Sequence, residues 1–119
     1  MGSFRELVVW QKSKQLAVAV YKLTAEGKFC GDYGLRDQIR RAAVSVPSNI
    51  AEGDERETNK ESIRFFYIAK GSLAEVVTQL EIAQEIGYIT REELILFDEK
   101  CVEIGKMPGS LIKARTHHL

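Results

Sequence analysis

The stretch Thr58–Gly87, TNKESIRFFYIAKGSLAEVVTQLEIAQEIG, decides the fold. Phe66, Ala69, Leu73, Val76, Leu80 and Ala83 recur in alternating steps of three and four, which gathers them into one apolar seam on a bundle helix. Thr58 with Glu61 three residues later has the form of a capping box, and Gly87 supplies a stop. The spacing predicts a helix over 59–87. No stretch of strand length alternates strictly enough to compete.

Working outward, Thr90 with Glu93 repeats the T-x-x-E form, and Leu94, Phe97, Cys101 and Ile104 continue at heptad spacing. A helix over 91–107 is expected, bent or ended by Pro108-Gly109, with residues 113–119 a frayed tail. Upstream, Val9, Leu16, Val20 and Leu23 predict a helix over 5–24. Ala25–Asp32, with Gly27 and Gly31, reads as a connection, and Asp32 as an N-cap. Leu35, Ile39, Ala42, Ala43, Val46 and Ile50 then form the apolar face of a helix over 33–56. Pro47 interrupts it at a cost of about 3 kcal/mol, so a kink is expected, with two shorter helices split at Pro47 as the alternative. Short connections turn successive helices antiparallel. The expectation is one all-α domain over 1–119, an up-down-up-down four-helix bundle with its second helix kinked at Pro47.

Composition narrows the function. The 119 residues carry 17 Lys+Arg against 17 Asp+Glu and are 45% hydrophobic, with a pI near 6.7. Zero net charge removes the basic excess of many nucleic-acid binders, so such a role needs a local patch. No apolar run approaches the roughly 18 residues of a membrane span, and no signal peptide precedes the first amphipathic segment, so a cytoplasmic protein without membrane contact is expected. Cys30 and Cys101 are too few for a disulfide framework or a metal pair and read as small apolar side chains. Val8, Val18, Ile68, Val77, Ile82, Ile95 and Val102 exceed what one bundle core takes, which points to a homo-oligomer.

The chemical inventory is short. The only histidines, His117 and His118, sit at the chain end, so no imidazole is held against a nucleophile, and no metal site is expected without a third ligand. Neither GxGxxG nor GxxxxGK[ST] occurs, and no cofactor is expected. Ser45, Ser48, Asn49, Glu52 and Arg56 draw a polar line along the second helix. Ser72, Glu75 and Gln79 answer it on the third, where Gly71 is expected to let a neighbouring backbone approach. The rows read as a structural hydrogen-bonded layer; the catalytic alternative makes Glu52 and Glu75 a carboxylate pair. Arg36, Arg40 and Arg41 form one basic cluster, and Arg56, Lys60, Arg64, Lys113 and Arg115 a second, diluted by Glu55, Glu57 and Glu61. Phosphate contact is the functional reading of both, and a solvated, ion-paired face the bland one. Phe65, Phe66 and Tyr67 point in different directions and make no stacking platform.

Three blocks, FRELVVWQKSKQLAVAVY (Phe4–Tyr21), YGLRDQIRRAAVSVPSNIAEG (Tyr33–Gly53) and FFYIAKGSLAEVVTQLEIAQEIGYI (Phe65–Ile89), resemble the four-helix bundle proteins encoded within 23S ribosomal RNA intervening sequences. Gln38–Gly53, with Pro47 in a helical pattern, is the most diagnostic piece. The resemblance implies a kinked second helix and a pentameric ring. That family is in turn similar to the accessory variability determinant of diversity-generating retroelements, a basic pentameric barrel that engages a reverse transcriptase and nucleic acid. No enzymatic activity carries over to any residue.

The expected function is a non-enzymatic oligomeric scaffold or accessory factor contacting RNA, a ribonucleoprotein or a reverse-transcriptase-like protein. Its expected contacts are Arg36, Arg40, Arg41, Arg56, Lys60 and Arg64. The alternative is a protein-binding adaptor ring with no nucleic-acid role.

Overall fold

The computed structural model describes residues 3–117, and among them every regular element is helical. A single 3-10 turn over Phe4–Glu6 is capped by Ser3, whose hydroxyl accepts from the Arg5 N–H, and the chain straightens at Leu7. Helix α1 (Val8–Leu23) starts there, later than the expected residue 5. The break is stabilised because Leu7 packs on the core and the Gln11 amide donates to the Arg5 carbonyl at 2.8 Å.

The expected connection Ala25–Asp32 holds a further one-turn helix, α2 (Gly27–Gly31). Gly27 turns the chain at φ 60, a left-handed conformation that suits glycine. The turn exists to bury Phe29, which is 1% exposed and packs its ring 5.4 Å from that of Tyr88. Helix α3 (Tyr33–Asp54) follows as one continuous helix through Pro47, so the split into two shorter helices does not occur. Asp32 caps it, accepting from the Leu35 N–H at 3.1 Å.

Helix α4 (Asn59–Glu85) begins at Thr58, whose hydroxyl accepts from the Glu61 N–H. It ends in a Schellman motif: Gly87 at φ 85, the Tyr88 N–H on the Ala83 carbonyl at 2.8 Å, and the Gly87 N–H on that of Gln84 at 3.1 Å. Helix α5 (Arg91–Thr116) opens on a complete capping box between Thr90 and Glu93. It corrects the expected helix over 91–107 and the frayed tail over 113–119, because it passes through Pro108 to Thr116. Packing offsets the proline: Pro108 and Ile112 are buried, and Arg115 reaches Asp54 at 3.4 Å while lying over the Phe66 ring. The last expected tail residues, 118 and 119, lie outside the described residues.

Each long helix packs on two others, α1 and α4 both against α3 and α5, in a rod of 47 × 21 × 20 Å. Along α3 and α4, Gln38 meets Gln79, Ser45 meets Ser72 and Gly53 meets Phe66. Lys12 of α1 bridges to Glu103 of α5 at 3.0 Å, and Leu73 of α4 faces Gly105 of α5. The seams bury Leu16, Val20, Ile39, Val46, Ile50, Phe66, Val76, Leu80 and Ile104 almost completely, each large side chain contributing roughly 1.5–3 kcal/mol.

Candidate functional site

The polar rows expected on the second and third helices meet only in part. Ser72 Oγ donates to Ser45 Oγ at 2.8 Å, and Asn49 Nδ2 donates to both the carbonyl and the hydroxyl oxygen of Ser45, each at 2.8 Å. These three residues make a compact node between α3 and α4. Two helical turns along α4, Gln79 Nε2 donates to Gln38 Oε1 at 3.3 Å. Gln38 is a partner that the sequence reading missed; its place seven residues before Ser45, on the same helical stripe, is the signal that could have found it. Gln79 Oε1 is buried without a partner, as is Ser13 Oγ.

Ser48 and Glu52 stand outside this layer. Both are exposed and line a shallow groove with Phe4, Ala51 and Glu55, while Glu52 pairs with Arg56 one turn on. Glu75 is exposed in a separate cleft of about 240 Å³ with Gln38, Arg41, Ala42, Ser45 and Ser72. The Glu52–Glu75 carboxylate pair is therefore not assembled, because the two acids line different grooves. Gly71 is likewise corrected: a β-carbon there would touch nothing within 4 Å, so it serves no close approach. The close approach is made by Gly53, under the ring of Phe66.

The first arginine cluster divides. Arg40 donates from Nε to Thr24 Oγ1 at 2.8 Å and from an Nη to the Tyr21 carbonyl at 3.3 Å, and lies over the Tyr21 ring. It closes the C-terminus of α1, where carbonyls lack helical partners. Arg36 donates to the Cys30 carbonyl at 3.1 Å, stacks on Tyr33 and pairs with Asp37 at 3.0 Å, which raises its pKa above the ordinary guanidinium value. Arg41, one residue round the helix from Arg40, faces the α3/α4 cleft and has no ion pair among the described residues.

The second cluster divides in the same way. Arg56 is held by Glu52 and lies over the Phe65 ring, and Arg115 is held by Asp54 and Phe66. Lys60 and Arg64, on the first turns of α4, are exposed and have no ion-pair partner among the described residues. Within the two clusters the cations left for an outside ligand are thus Arg41, Lys60 and Arg64, with Lys113 exposed and likewise without an ion pair among the described residues, a smaller set than the spacing suggested.

Two groups that the sequence reading left unpaired are joined by the fold. Tyr88 donates its hydroxyl to Asp32 Oδ2 at 2.8 Å. The Leu35 N–H first and this hydroxyl second hold the Asp32 carboxyl below its usual range, and the same bond pushes the Tyr88 phenol up. Cys101 is buried, and desolvation pushes its thiol up to about 11, a value that leaves no reactive thiolate near neutrality. Among the described residues no group of three or more His, Cys, Asp or Glu side chains could hold a metal, and no helix is long and apolar enough to cross a membrane.

Of the surplus apolar residues, Val77 packs against the core, while Val8, Val18, Ile68, Ile82, Ile95 and Val102 are exposed. Tyr21, Tyr33, Val44, Tyr67, Ile86 and Leu96 join them. The family model described as 23S rRNA-intervening sequence protein matches residues 5–110. The chain belongs to that family. Among solved structures, it is similar to a protein with unknown function from the S23 ribosomal protein family of Bacteroides thetaiotaomicron VPI-5482. The TM-score is 0.82 and the identity 29%, covering 89% of this chain and 99% of that one. No curated protein matches.

Proposed function

We propose that this protein is a non-enzymatic accessory factor of the cytoplasm, an oligomeric ring that contacts RNA or a ribonucleoprotein. Its subunit is an up-down-up-down bundle. Contact pairs whose numbers rise on one helix as they fall on its neighbour support that alternating sense, and the N–H that Pro47 lacks supports a bend in α3. The ring is pentameric, as the family resemblance implies. Its subunits associate because exposed aliphatic side chains on all four long helices leave water.

The observation that carries the RNA reading is the set Arg41, Lys60 and Arg64: three exposed cations on α3 and α4 with no ion-pair partner among the described residues. Arg36, Arg40 and Arg56 are spent on the protein's own carbonyls, carboxylates and rings. Contacts with phosphate release counterions, so three contacts give log K against log salt a slope of about −2 to −3. A labelled stem-loop RNA titrated by anisotropy at several salt concentrations tests this. The charge-reversed R41E/K60E/R64E variant should bind at least ten-fold more weakly and lose the salt slope. Undiminished binding by the variant, or none by the wild type at low salt, overturns the reading.

Zero net charge and Glu75 beside Arg41 favour a second reading, an adaptor ring that holds a protein partner and no nucleic acid. Affinity purification with and without nuclease separates the two: partners that survive nuclease digestion in the absence of RNA binding support the adaptor.

A further inference from the structure

We propose that the apolar groove between α1 and α3 receives the outward stripe of α5 from a second copy of the chain, so that copies join head to tail. The inference rests on the oligomer reading above and names the two faces that meet.

The groove has a volume of about 440 Å³ and is lined by Ala17, Val18 and Tyr21 of α1 and by Val44 and Pro47 of α3. Val18, Tyr21 and Val44 are 49%, 45% and 41% exposed, high values for side chains that share one concavity. Lys14 and Lys22 form its α1 lip. Helix α1 contains Lys12, Lys14 and Lys22 and no acid. Lys12 is taken by Glu103, Lys14 lies over the Trp10 ring, and neither Lys14 nor Lys22 has an ion pair among the described residues.

The complementary surface is on α5. Glu92, Ile95, Glu99 and Val102 follow one another at steps of three and four, which puts them on one stripe. Ile95 and Val102 are 48% and 53% exposed, and Glu92 and Glu99 are exposed without an ion pair among the described residues. Residues 91–103 carry the acids Glu92, Glu93, Asp98, Glu99 and Glu103 against two bases, Arg91 and Lys100. The stripe therefore interleaves aliphatic and acidic side chains, where the groove sets an aliphatic floor beside a basic lip.

Spacing agrees. Eight residues separate Lys14 from Lys22, about 12 Å along the helix, and seven separate Glu92 from Glu99, about 10 Å. Both lysines can thus meet both glutamates while Ile95 and Val102 enter the groove. The other exposed aliphatic stripe, Ile68 and Ile82 of α4, offers the lysines one intervening carboxylate, Glu75, which already shares a cleft with Arg41. Groove and stripe are different surfaces of one subunit, so the contact is heterologous and repeats from copy to copy, as a ring requires.

The test measures mass by light scattering for the full chain and two variants, Val44→Arg in the groove and Val102→Arg on the stripe. Both positions are half exposed, and circular dichroism checks that each variant is folded. The wild type should assemble and each variant alone should be a monomer. Their equimolar mixture should form a 1:1 dimer, because one intact groove meets one intact stripe. As a second variant pair, K14E/K22E should weaken assembly and the added E92K/E99K should restore it. A wild type that assembles with variants of unchanged mass, or a mixture that stays monomeric, overturns the pairing and leaves the oligomer standing, with the α4 stripe as the alternative face. A wild type that is itself monomeric overturns both.

Discussion

Phe66 lies across Gly53 so closely that a β-carbon at position 53 would stand 2.5 Å from the ring Cε1 and 2.8 Å from Cδ1, with the Ser62 carbonyl at 3.1 Å. The ring cannot swing away, because it is fully buried and Arg115 lies over it. Gly53→Ala should therefore destabilise the protein by about 2 kcal/mol despite the better helix propensity of alanine. Gly71→Ala, in open space on α4, should instead stabilise by up to about 1 kcal/mol. Urea melts of the two variants decide the matter, and equal effects would contradict the packing.

Ser45 is the shared acceptor of Ser72 and Asn49. Ser45→Ala strands the Ser72 hydroxyl and leaves Asn49 only the Ser45 carbonyl, and should cost about 2 kcal/mol, Ser72→Ala about 1 kcal/mol, with a coupling near 1 kcal/mol in the double-mutant cycle. Additive losses would show that the node is not a unit.

Asp32 should set part of the acid limb of stability. Its carboxylate is stabilised in the folded state by the Leu35 N–H and then the Tyr88 hydroxyl, so its folded pKa lies below its unfolded one. That contribution is full above the ordinary carboxylate pKa, 3.8 for Asp32, and is lost as pH falls through the lowered folded value. Denaturant midpoints measured between pH 7 and pH 2 should fall less steeply for Asp32→Asn than for the wild type. Tyr88→Phe should give an intermediate slope. Parallel curves for all three would refute the assignment.

The C-terminal turns of α5 should be structural. Ile112 is 8% exposed, and Ile112→Ala should cost about 2–3 kcal/mol by leaving a cavity. A chain ending at Gly109 loses Ile112 and the Arg115 contacts with Asp54 and Phe66 together, and should melt lower still. Unchanged melting temperatures would return this segment to the frayed tail that its weak periodicity suggested.

The starts of α3, α4 and α5 were legible because their signals are local, whereas α1, which has no side-chain cap, starts three residues later than expected. Thr58, Thr90 and Asp32 each sit three residues before the N–H that their side chain caps, and Gly87 is where a left-handed residue must follow α4. The end of α5 was not legible, since Pro108 reads as a breaker until Asp54 and Phe66, more than forty residues away in the chain, hold the helix beyond it. The candidate site was half legible. Residue type marked the arginines, but which of them remained free depended on carbonyls and rings of other elements.

By itself the sequence determined an all-α chain, its main apolar stripes and most of its caps, because periodicity and capping act over a few residues of one helix. Only the tertiary structure decided that Arg40 closes α1, that Tyr88 meets Asp32, that Gly53 rather than Gly71 is the point of closest approach, and that Arg36, Arg40, Arg56 and Arg115 are taken up by the protein's own groups while Arg41, Lys60 and Arg64 are not. Those outcomes depend on which faces the packed helices turn toward one another, and that is fixed by burial of the shared core rather than by any single segment.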